Sequence, residues 1–254
     1  PWSPWGRLPR YRESAGPDLV ERALHRASLI PMDGTARRVR GGKAVAEWRL
    51  YTFVDTAYLR GRDPVAVAHA LCEGGSDAVQ IRAKGAPLPE VRRLIEAVLP
   101  VLDAAGVATV VNDHPGLAVS CGAPWVHLGQ EDFFDVGHRG VDDLPCRRAG
   151  CRVGLSTHAP DQCERAVRAG ADYVAIGPVY ATGTKPTARP VTLEYVRWAR
   201  ASVTVPWFAI GGINLRTVDA VVEAGARSIC VVSAILDAPD IAAACREFRH
   251  RLPD

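Results

Sequence analysis

The chain has 254 residues, of which 48% are hydrophobic and 23% charged, and its formal net charge is +3. This composition is typical of a soluble globular enzyme and argues against a disordered or membrane-spanning chain. Nine of the 31 Lys and Arg residues fall within residues 1–48, which leaves the remainder close to neutral. Outside that segment, the sequence gives no support for a nucleic-acid-binding surface.

The seven cysteines are scattered without a CxxC pair, and no apolar segment typical of a secretion signal follows the N-terminus. This pattern predicts reduced, unpaired thiols and a cytoplasmic protein. We expect no membrane partner, and a homo-oligomer is compatible with the sequence.

Residues 1–48 are predicted to form an N-terminal extension, and residues 49–254 the catalytic domain. Within the extension, residues 17–30 have apolar side chains at helical spacing after Pro17, and a basic linker follows at residues 33–43. The extension is either a lid or partner-binding arm, or a tail without a catalytic role. We favour the tail.

From Arg49, short runs rich in β-branched and aromatic residues alternate with helical patterns. Many of the helical patterns end at a glycine suited to a helix C-terminus, such as Gly106 and Gly170. The connection after the fourth run is the least regular. The predicted strands are residues 49–55, 77–83, 108–113, 125–129, 152–156, 172–179, 206–212 and 228–234.

Strict alternation of strand and helix implies right-handed crossovers and a parallel sheet. Eight repeats favour an α/β fold of the (β/α)8 TIM-barrel type, with an open doubly wound sheet as the alternative. The absence of GxGxxG after the first run weakens a dinucleotide-binding interpretation. In a parallel barrel the active site lies at the C-terminal ends of the strands, so polar residues are expected there.

The second run ends with Gln80, Arg82 and Lys84, which share one face because alternate residues of a strand point the same way. An amide followed by two cations suits an aromatic nitrogen heterocycle that carries a polyanion. The alternative is a solvated pair of charges at a strand end. We favour the binding role, since cations in a barrel mouth need an anion to offset their desolvation.

Two carboxylates follow neighbouring runs: Asp113 comes after Asn112 at the end of the third, and Asp132 follows the fourth. Two carboxylates together with phosphate oxygens are a usual way to hold Mg²⁺. Alternatively, Asp113 caps the next helix and Asp132 lies in a turn.

Further groups suited to phosphate lie after the last four runs, and the stretch from Tyr173 to Lys185 is the most distinctive of them. These groups are Ser156, Thr182, Thr184, Lys185, Gly212 and Ser233. They exceed what one monophosphate requires, so the pattern indicates two anionic ligands, one of them a diphosphate bound with Mg²⁺. The expected chemistry is departure of diphosphate with electrostatic help.

From about Arg49 to its end, the chain resembles the thiamine-phosphate synthase family. The resemblance lies in several motifs that occur in family order over about four-fifths of the chain. They are QIRAK (80–84), VVNDHPGLAVSCGAPWVHLGQED (110–132), GLSTH (154–158), GADYVAIGPVYATGTK (170–185), FAIGGIN (208–214) and VVSAI (231–235).

The resemblance implies a TIM barrel that joins 4-amino-2-methyl-5-(diphosphooxymethyl)pyrimidine to a thiazole phosphate by a dissociative, Mg²⁺-assisted substitution. Within this scheme Arg82, Lys84 and Lys185 act on the departing diphosphate, and Asp113 and Asp132 bind Mg²⁺. The pyrimidine diphosphate is held by Gln80, Arg82, Lys84, Asn112, Ser156 and Lys185. The thiazole phosphate is held by Thr182, Thr184, Gly212, Val232 and Ser233.

Ala83 departs from the family pattern, because many relatives have an acidic residue between the two cations. The 48-residue extension also lies outside the usual family body. Two alternative functions are a thiazole tautomerase-like enzyme, which makes no use of a diphosphate clamp, and a non-catalytic phosphate-binding barrel. The presence of Arg82, Lys84 and both carboxylates favours the synthase.

Overall fold

The computed structural model describes residues 43–183 and 190–253, and its centre is a closed barrel of eight parallel strands. The predicted helix at residues 17–30 lies outside the described residues, as do Thr184 and Lys185. The strands are β1 (Leu50–Asp55), β2 (Ala78–Arg82), β3 (Ala108–Asn112), β4 (Trp125–Leu128), β5 (Arg152–Thr157), β6 (Tyr173–Ile176), β7 (Trp207–Ile210) and β8 (Ile229–Cys230).

Helices connect successive strands on the outside of the barrel. They are α1 (Thr56–Leu59), α2 (Pro64–Glu73), α3 (Leu88–Ala104), α4 (Pro115–Cys121), α5 (Pro145–Arg148), α6 (Pro160–Arg168), α7 (Thr192–Ser202), α8 (Val218–Glu223), α9 (Ser233–Leu236) and α10 (Ile241–Arg251). Short 3₁₀ turns span Val45–Glu47 and Val141–Asp143. Among the described residues, no helix combines the length and the apolar composition needed to cross a bilayer.

The pairing of β1 with two strands closes the barrel. Tyr51 lies opposite Ala78 of β2, and Leu50 lies opposite Ile229 of β8, both in parallel register. Every other strand pairs with its neighbours in chain order. The predicted TIM barrel is therefore confirmed, and the open doubly wound sheet is excluded.

Most strands are shorter than the sequence predicts, and β6 and β8 differ most, because their extended backbone ends early. β6 stops at Ile176, just before Pro178, which has no N–H to donate to a neighbouring strand. β8 comprises only Ile229 and Cys230; at Val232 the backbone leaves the extended region, with φ −111° and ψ −88°, and α9 begins at Ser233. The C-terminal part of the predicted sixth strand thus belongs to a loop, and that of the eighth to a short loop and the start of α9, and both contribute to the mouth of the barrel.

The connection between β4 and β5 is irregular, in agreement with its weak helical pattern. A π-helical turn at Glu131–Asp135 comes first, then the 3₁₀ turn at Val141–Asp143, and then the single turn of α5. The π turn begins three residues after β4 ends, and it carries Asp132. It therefore holds a carboxylate close to the C-terminal end of the barrel.

Aromatic side chains fill the lower interior of the barrel. Trp48, two residues before the start of β1, is 1% exposed and packs edge-on against Trp125 with ring centroids 4.9 Å apart. Its indole N–H donates to the carbonyl of Lys43. Tyr51, Tyr173 and Phe208 pack above it. The barrel is thus a packed core at this end, in contrast to the C-terminal ends of its strands, where a cavity opens.

Candidate active site

A cavity lies at the C-terminal ends of the strands, and it encloses about 1010 Å³ of space including its open mouth. The predicted site residues that line it are Gln80, Arg82, Lys84, Asn112, Asp113, Asp132, Ser156, Thr182, Gly212, Val232 and Ser233. The two remaining candidates, Thr184 and Lys185, lie outside the described residues.

The two cations from β2 lie at different depths. Arg82 is largely covered, and its Nη1 donates to Oδ2 of the fully buried Asp55 over 2.7 Å. Lys84, two residues further along, is exposed, with its Nζ 3.6 Å from Oδ2 of Asp113. The pair of Arg82 and Asp55 forms because these two residues lie opposite each other in the register of β1 and β2. The deeper cation therefore has a fixed direction, whereas the outer one forms a solvent-accessible pair.

The carboxylates of Asp113 and Asp132 share the cavity wall next to Lys84. Asp113 has a left-handed backbone with φ 59°, and its N–H donates to the carbonyl of His127 over 3.0 Å. The Asp132 carboxylate reaches solvent but packs over Gly129, where an added Cβ would lie 2.8 Å from Oδ2. Partial burial and then the charge of Asp113 raise the pKa of Asp132. Two like charges therefore lie close enough to repel, an arrangement that a divalent cation would relieve.

Five side chains form a hydrogen-bonded chain across the floor of the cavity. Gln80 Nε2 donates to the hydroxyl of Tyr51 over 2.7 Å, and that hydroxyl lies 3.1 Å from the hydroxyl of Tyr173. Tyr173 then contacts Nδ1 of His127 at 3.0 Å, and Nε2 of His127 contacts Oγ of Ser156 at 2.9 Å. The chain thus links β2, β1, β6, β4 and β5, and it connects the predicted residues Gln80 and Ser156.

Two glycines after β7 form the opposite side of the cavity. Gly211 and Gly212 have φ values of 100° and 65°, which L side chains rarely adopt. A Cβ on Gly211 would lie 2.4 Å from Cβ of Pro178, and one on Gly212 would lie 2.6 Å from the carbonyl oxygen of Ala181. The loop after β6 therefore packs directly on the loop after β7. This close contact requires glycine at both positions.

Several residues of the site were not predicted from the sequence. Asp55 is the last residue of β1, so the argument from strand ends that identified Arg82 could also have identified Asp55. His127 lies two residues after Trp125 in β4 and faces inward. Tyr51 and Tyr173 lie below the cavity, and only their hydroxyl groups connect them to it. His158 also lines the cavity, and its Nδ1 hydrogen-bonds to the Gly177 carbonyl.

Residues 50–235 match the family model described as thiamine monophosphate synthase. The chain is 46% identical over 180 residues to a thiamine-phosphate synthase of Thermus thermophilus, covering 70% of this chain and 84% of that one. It is 39% identical over 257 residues to a thiamine-phosphate synthase of Gloeobacter violaceus, covering 96% of this chain and 70% of that one. The latter similarity therefore extends into residues 1–48.

The chain also resembles solved structures. A thiamine phosphate pyrophosphorylase from Pyrococcus furiosus superposes with a TM-score of 0.71 and 27% identity, covering 82% of this chain and 96% of that one. A 3-hexulose-6-phosphate synthase superposes with a TM-score of 0.55 at 20% identity, and this likeness concerns the barrel fold alone.

Proposed function

The chain belongs to the thiamine monophosphate synthase family, and we propose that its cavity couples an aminopyrimidine diphosphate to a thiazole phosphate. Its relatives are thiamine-phosphate synthases, so the chain is a transferase of thiamine biosynthesis that acts on small molecules. The assignment of substrates and steps to particular residues is the proposal. It rests above all on one observation: two cations and two carboxylates lie together on the β2–β4 side of the cavity.

Arg82 and Lys84 are proposed to bind the diphosphate of the pyrimidine substrate. Asp55 holds the Arg82 guanidinium within the barrel, where an anion would offset the cost of keeping it from water. Lys84 is exposed and sits over Asp113, so it can turn to a second phosphate group. Asn112 and Ser156 line the same cavity and offer uncharged polar groups. Lys185 is proposed to act on the same leaving group from the loop after β6.

The carboxylates of Asp113 and Asp132 fit a magnesium site that is completed by substrate. Among the described residues, no group of three or more His, Cys, Asp or Glu side chains can hold a metal ion, which argues against a metal cage built only from protein. Mg²⁺ commonly takes one or two carboxylates together with water and phosphate oxygens. The raised pKa of Asp132 beside Asp113 also fits two carboxylates that a cation would bridge. When bound, Mg²⁺ would neutralise charge on the departing diphosphate.

The β7–β8 side of the cavity is proposed to bind the thiazole phosphate. Gly212, on which the loop after β6 packs, lines this side of the cavity together with Thr182, Val232 and Ser233. Thr184 is proposed to complete this side. The closed strand order places β7 and β8 across the barrel from β3 and β4, so the two anionic groups would be held apart. The reacting carbon and nitrogen would then meet between them.

The proposed reaction is a dissociative substitution at the pyrimidine methylene carbon. The carbon–oxygen bond to diphosphate breaks and its electron pair leaves with the diphosphate. The thiazole nitrogen then forms the new carbon–nitrogen bond with its own lone pair. That nitrogen carries no proton, so the step requires no general base. The cations stabilise the leaving group, and the apolar side chains of Phe53, Ile210 and Ile213 exclude water from the electron-deficient carbon.

The test is to incubate the protein with both substrates and Mg²⁺ and to measure thiamine phosphate and diphosphate together. We expect equal amounts of the two products and no diphosphate release when the thiazole phosphate is omitted. Conversion of the thiazole alone between its tautomers, without joining, would instead support the tautomerase alternative. An absence of product with either thiazole tautomer would refute the proposal.

A further inference from the structure

The hydrogen-bonded chain from Gln80 to Ser156 has a direction, which follows from the orientation of the Gln80 amide and from counting the protons beyond it. The amide nitrogen of Gln80 can only donate, so the Tyr51 oxygen accepts. Tyr51 is 1% exposed, and within the described structure Tyr173 is its one remaining hydrogen-bond partner. Since an unpaired buried hydroxyl costs free energy, Tyr51 must donate its single proton to Tyr173.

The same reasoning continues through Tyr173 and His127. Tyr173 is fully buried and accepts from Tyr51, so its proton must go to Nδ1 of His127. Burial raises the pKa of both phenols, which keeps each of them protonated. An Nδ1 that accepts carries no proton, so a neutral His127 has its proton on Nε2 and donates it to Oγ of Ser156.

We propose that this chain makes Ser156 a hydrogen-bond donor to the ligand and Gln80 an acceptor, and that Tyr51, Tyr173 and His127 are positioning residues for both. Ser156 accepts from His127, so its own proton is available to the cavity that it lines. Gln80 uses its nitrogen for Tyr51, and its Oε1 forms no hydrogen bond with the described residues. The ends of the chain therefore suit a ligand with an N–H group at one side and an anionic oxygen at the other.

The two ends are coupled, because every member between them passes on one proton. If the Gln80 amide turned over, its oxygen would accept from Tyr51 and all four hydrogen bonds would reverse. Ser156 would then donate to His127 and lose its donor role towards the ligand. Assigning the amino group to the pyrimidine and the anionic oxygen to its diphosphate rests on the proposed function; the direction of the chain does not.

The first measurement is the tautomer of His127 in the ligand-free protein. Protein labelled with ¹⁵N at histidine gives separate signals for protonated and unprotonated ring nitrogens, and a His127→Gln variant identifies the signals among the seven histidines. We expect neutral His127 with its proton on Nε2. A proton on Nδ1, or an imidazolium at neutral pH, would overturn the proposal.

The second measurement breaks the chain in the middle with Tyr173→Phe. The variant removes the donor to Nδ1, so the Nε2–H tautomer should lose its preference and KM for the pyrimidine diphosphate should rise roughly ten- to hundredfold. Tyr195→Phe is the matched control: this buried tyrosine also loses two hydrogen bonds, to Thr157 and Ala159, but it lies outside the chain. We expect the His127 signals and the KM of Tyr195→Phe to match those of the parent protein.

An unchanged His127 tautomer in Tyr173→Phe would show that the chain does not set the proton positions, and the proposal would be wrong. If that variant does not fold, the wild-type tautomer still decides the direction. Failure of the proposed function has a different signature: the predicted tautomer would be present, but no thiamine phosphate would form.

Discussion

The guanidinium of Arg82 is bound by a carboxylate with no exposed surface, Oδ2 of Asp55, at 2.7 Å. The other oxygen of Asp55 accepts from the backbone N–H of Ala57 and caps α1. One side chain thus fixes both a proposed substrate-binding cation and the first turn after β1. Ala83, between the two cations, carries no charge. Asp55 shows that Arg82 has an acidic partner from another strand.

We predict that Asp55→Asn lowers kcat/KM by on the order of a hundredfold, because the amide no longer offers Arg82 a charge and the guanidinium moves. The fold should persist, since the amide oxygen can still cap Ala57. Steady-state kinetics and thermal unfolding would measure both effects. Asp63→Asn is the control. It makes the same change at the N-terminal cap of α2, where the side chain accepts hydrogen bonds from the backbone N–H groups of Val65 and Ala66. Similar kinetic losses in both variants would contradict the positioning role.

Asp113→Asn should reduce turnover by roughly a hundredfold or more while leaving the protein folded. Asparagine suits this position because it also tolerates the left-handed backbone observed there, with φ 59°. The lost charge would weaken Mg²⁺ binding and would also lower the pKa of Asp132, which Asp113 helps to raise. Activity as a function of Mg²⁺ concentration tests the first effect. Normal turnover of the variant at low Mg²⁺ would show that Asp113 does not bind the metal ion.

Gly212→Ala should raise KM for the thiazole phosphate by roughly tenfold, about 1.4 kcal/mol in binding. The added Cβ would lie 2.6 Å from the carbonyl oxygen of Ala181, so the loop after β6 would have to move. Gly75→Ala is the matched control, because its φ is +87° and no atom lies within 4 Å of the added Cβ. Both variants carry backbone strain. An equal change in KM would show that strain, and not the contact between the loops, is responsible.

Asp77→Asn should lower the free energy of unfolding at neutral pH by about 1.5–3 kcal/mol. The buried carboxylate accepts from Lys43 and Arg249 and from the backbone N–H groups of Arg49 and Leu50. Burial alone would raise the pKa of Asp77, but these donors outweigh it and lower the pKa. The stabilisation is therefore complete above the unfolded-state pKa of about 3.9 and is lost as the pH falls through the lower folded-state value.

Urea unfolding from neutral pH to about pH 2 would measure this loss. The acid-dependent decrease should be smaller in Asp77→Asn than in the parent protein. Asp219→Asn is a suitable control, since its pair with Arg251 is solvent-exposed and contributes little. If the two variants have the same pH dependence, Asp77 does not account for the acid sensitivity.

The barrel was predictable from local sequence, and eleven of the thirteen predicted site residues line the cavity. Alternation of strands and helices reports the parallel topology, and period-two spacing places Gln80 and Arg82 on one inward face. Strand ends were less predictable, as β8 shows. Its two residues pair with β1 and β7, and the backbone then turns at Val232 although the sequence remains apolar. Apolar composition alone does not distinguish a short strand from the loop that follows it.

The sequence by itself determined which residues reach the mouth of the barrel, because the direction of a side chain along a strand depends only on its neighbours in the chain. Tertiary structure alone decided which of them touch. Tyr51 and Tyr173 are 122 positions apart, and Asp55 and Arg82 are 27 apart. Such contacts depend on strand register and on closure of the sheet, and neither of these can be predicted from a local sequence pattern. Closure also makes Trp48, within the predicted extension, part of the barrel core.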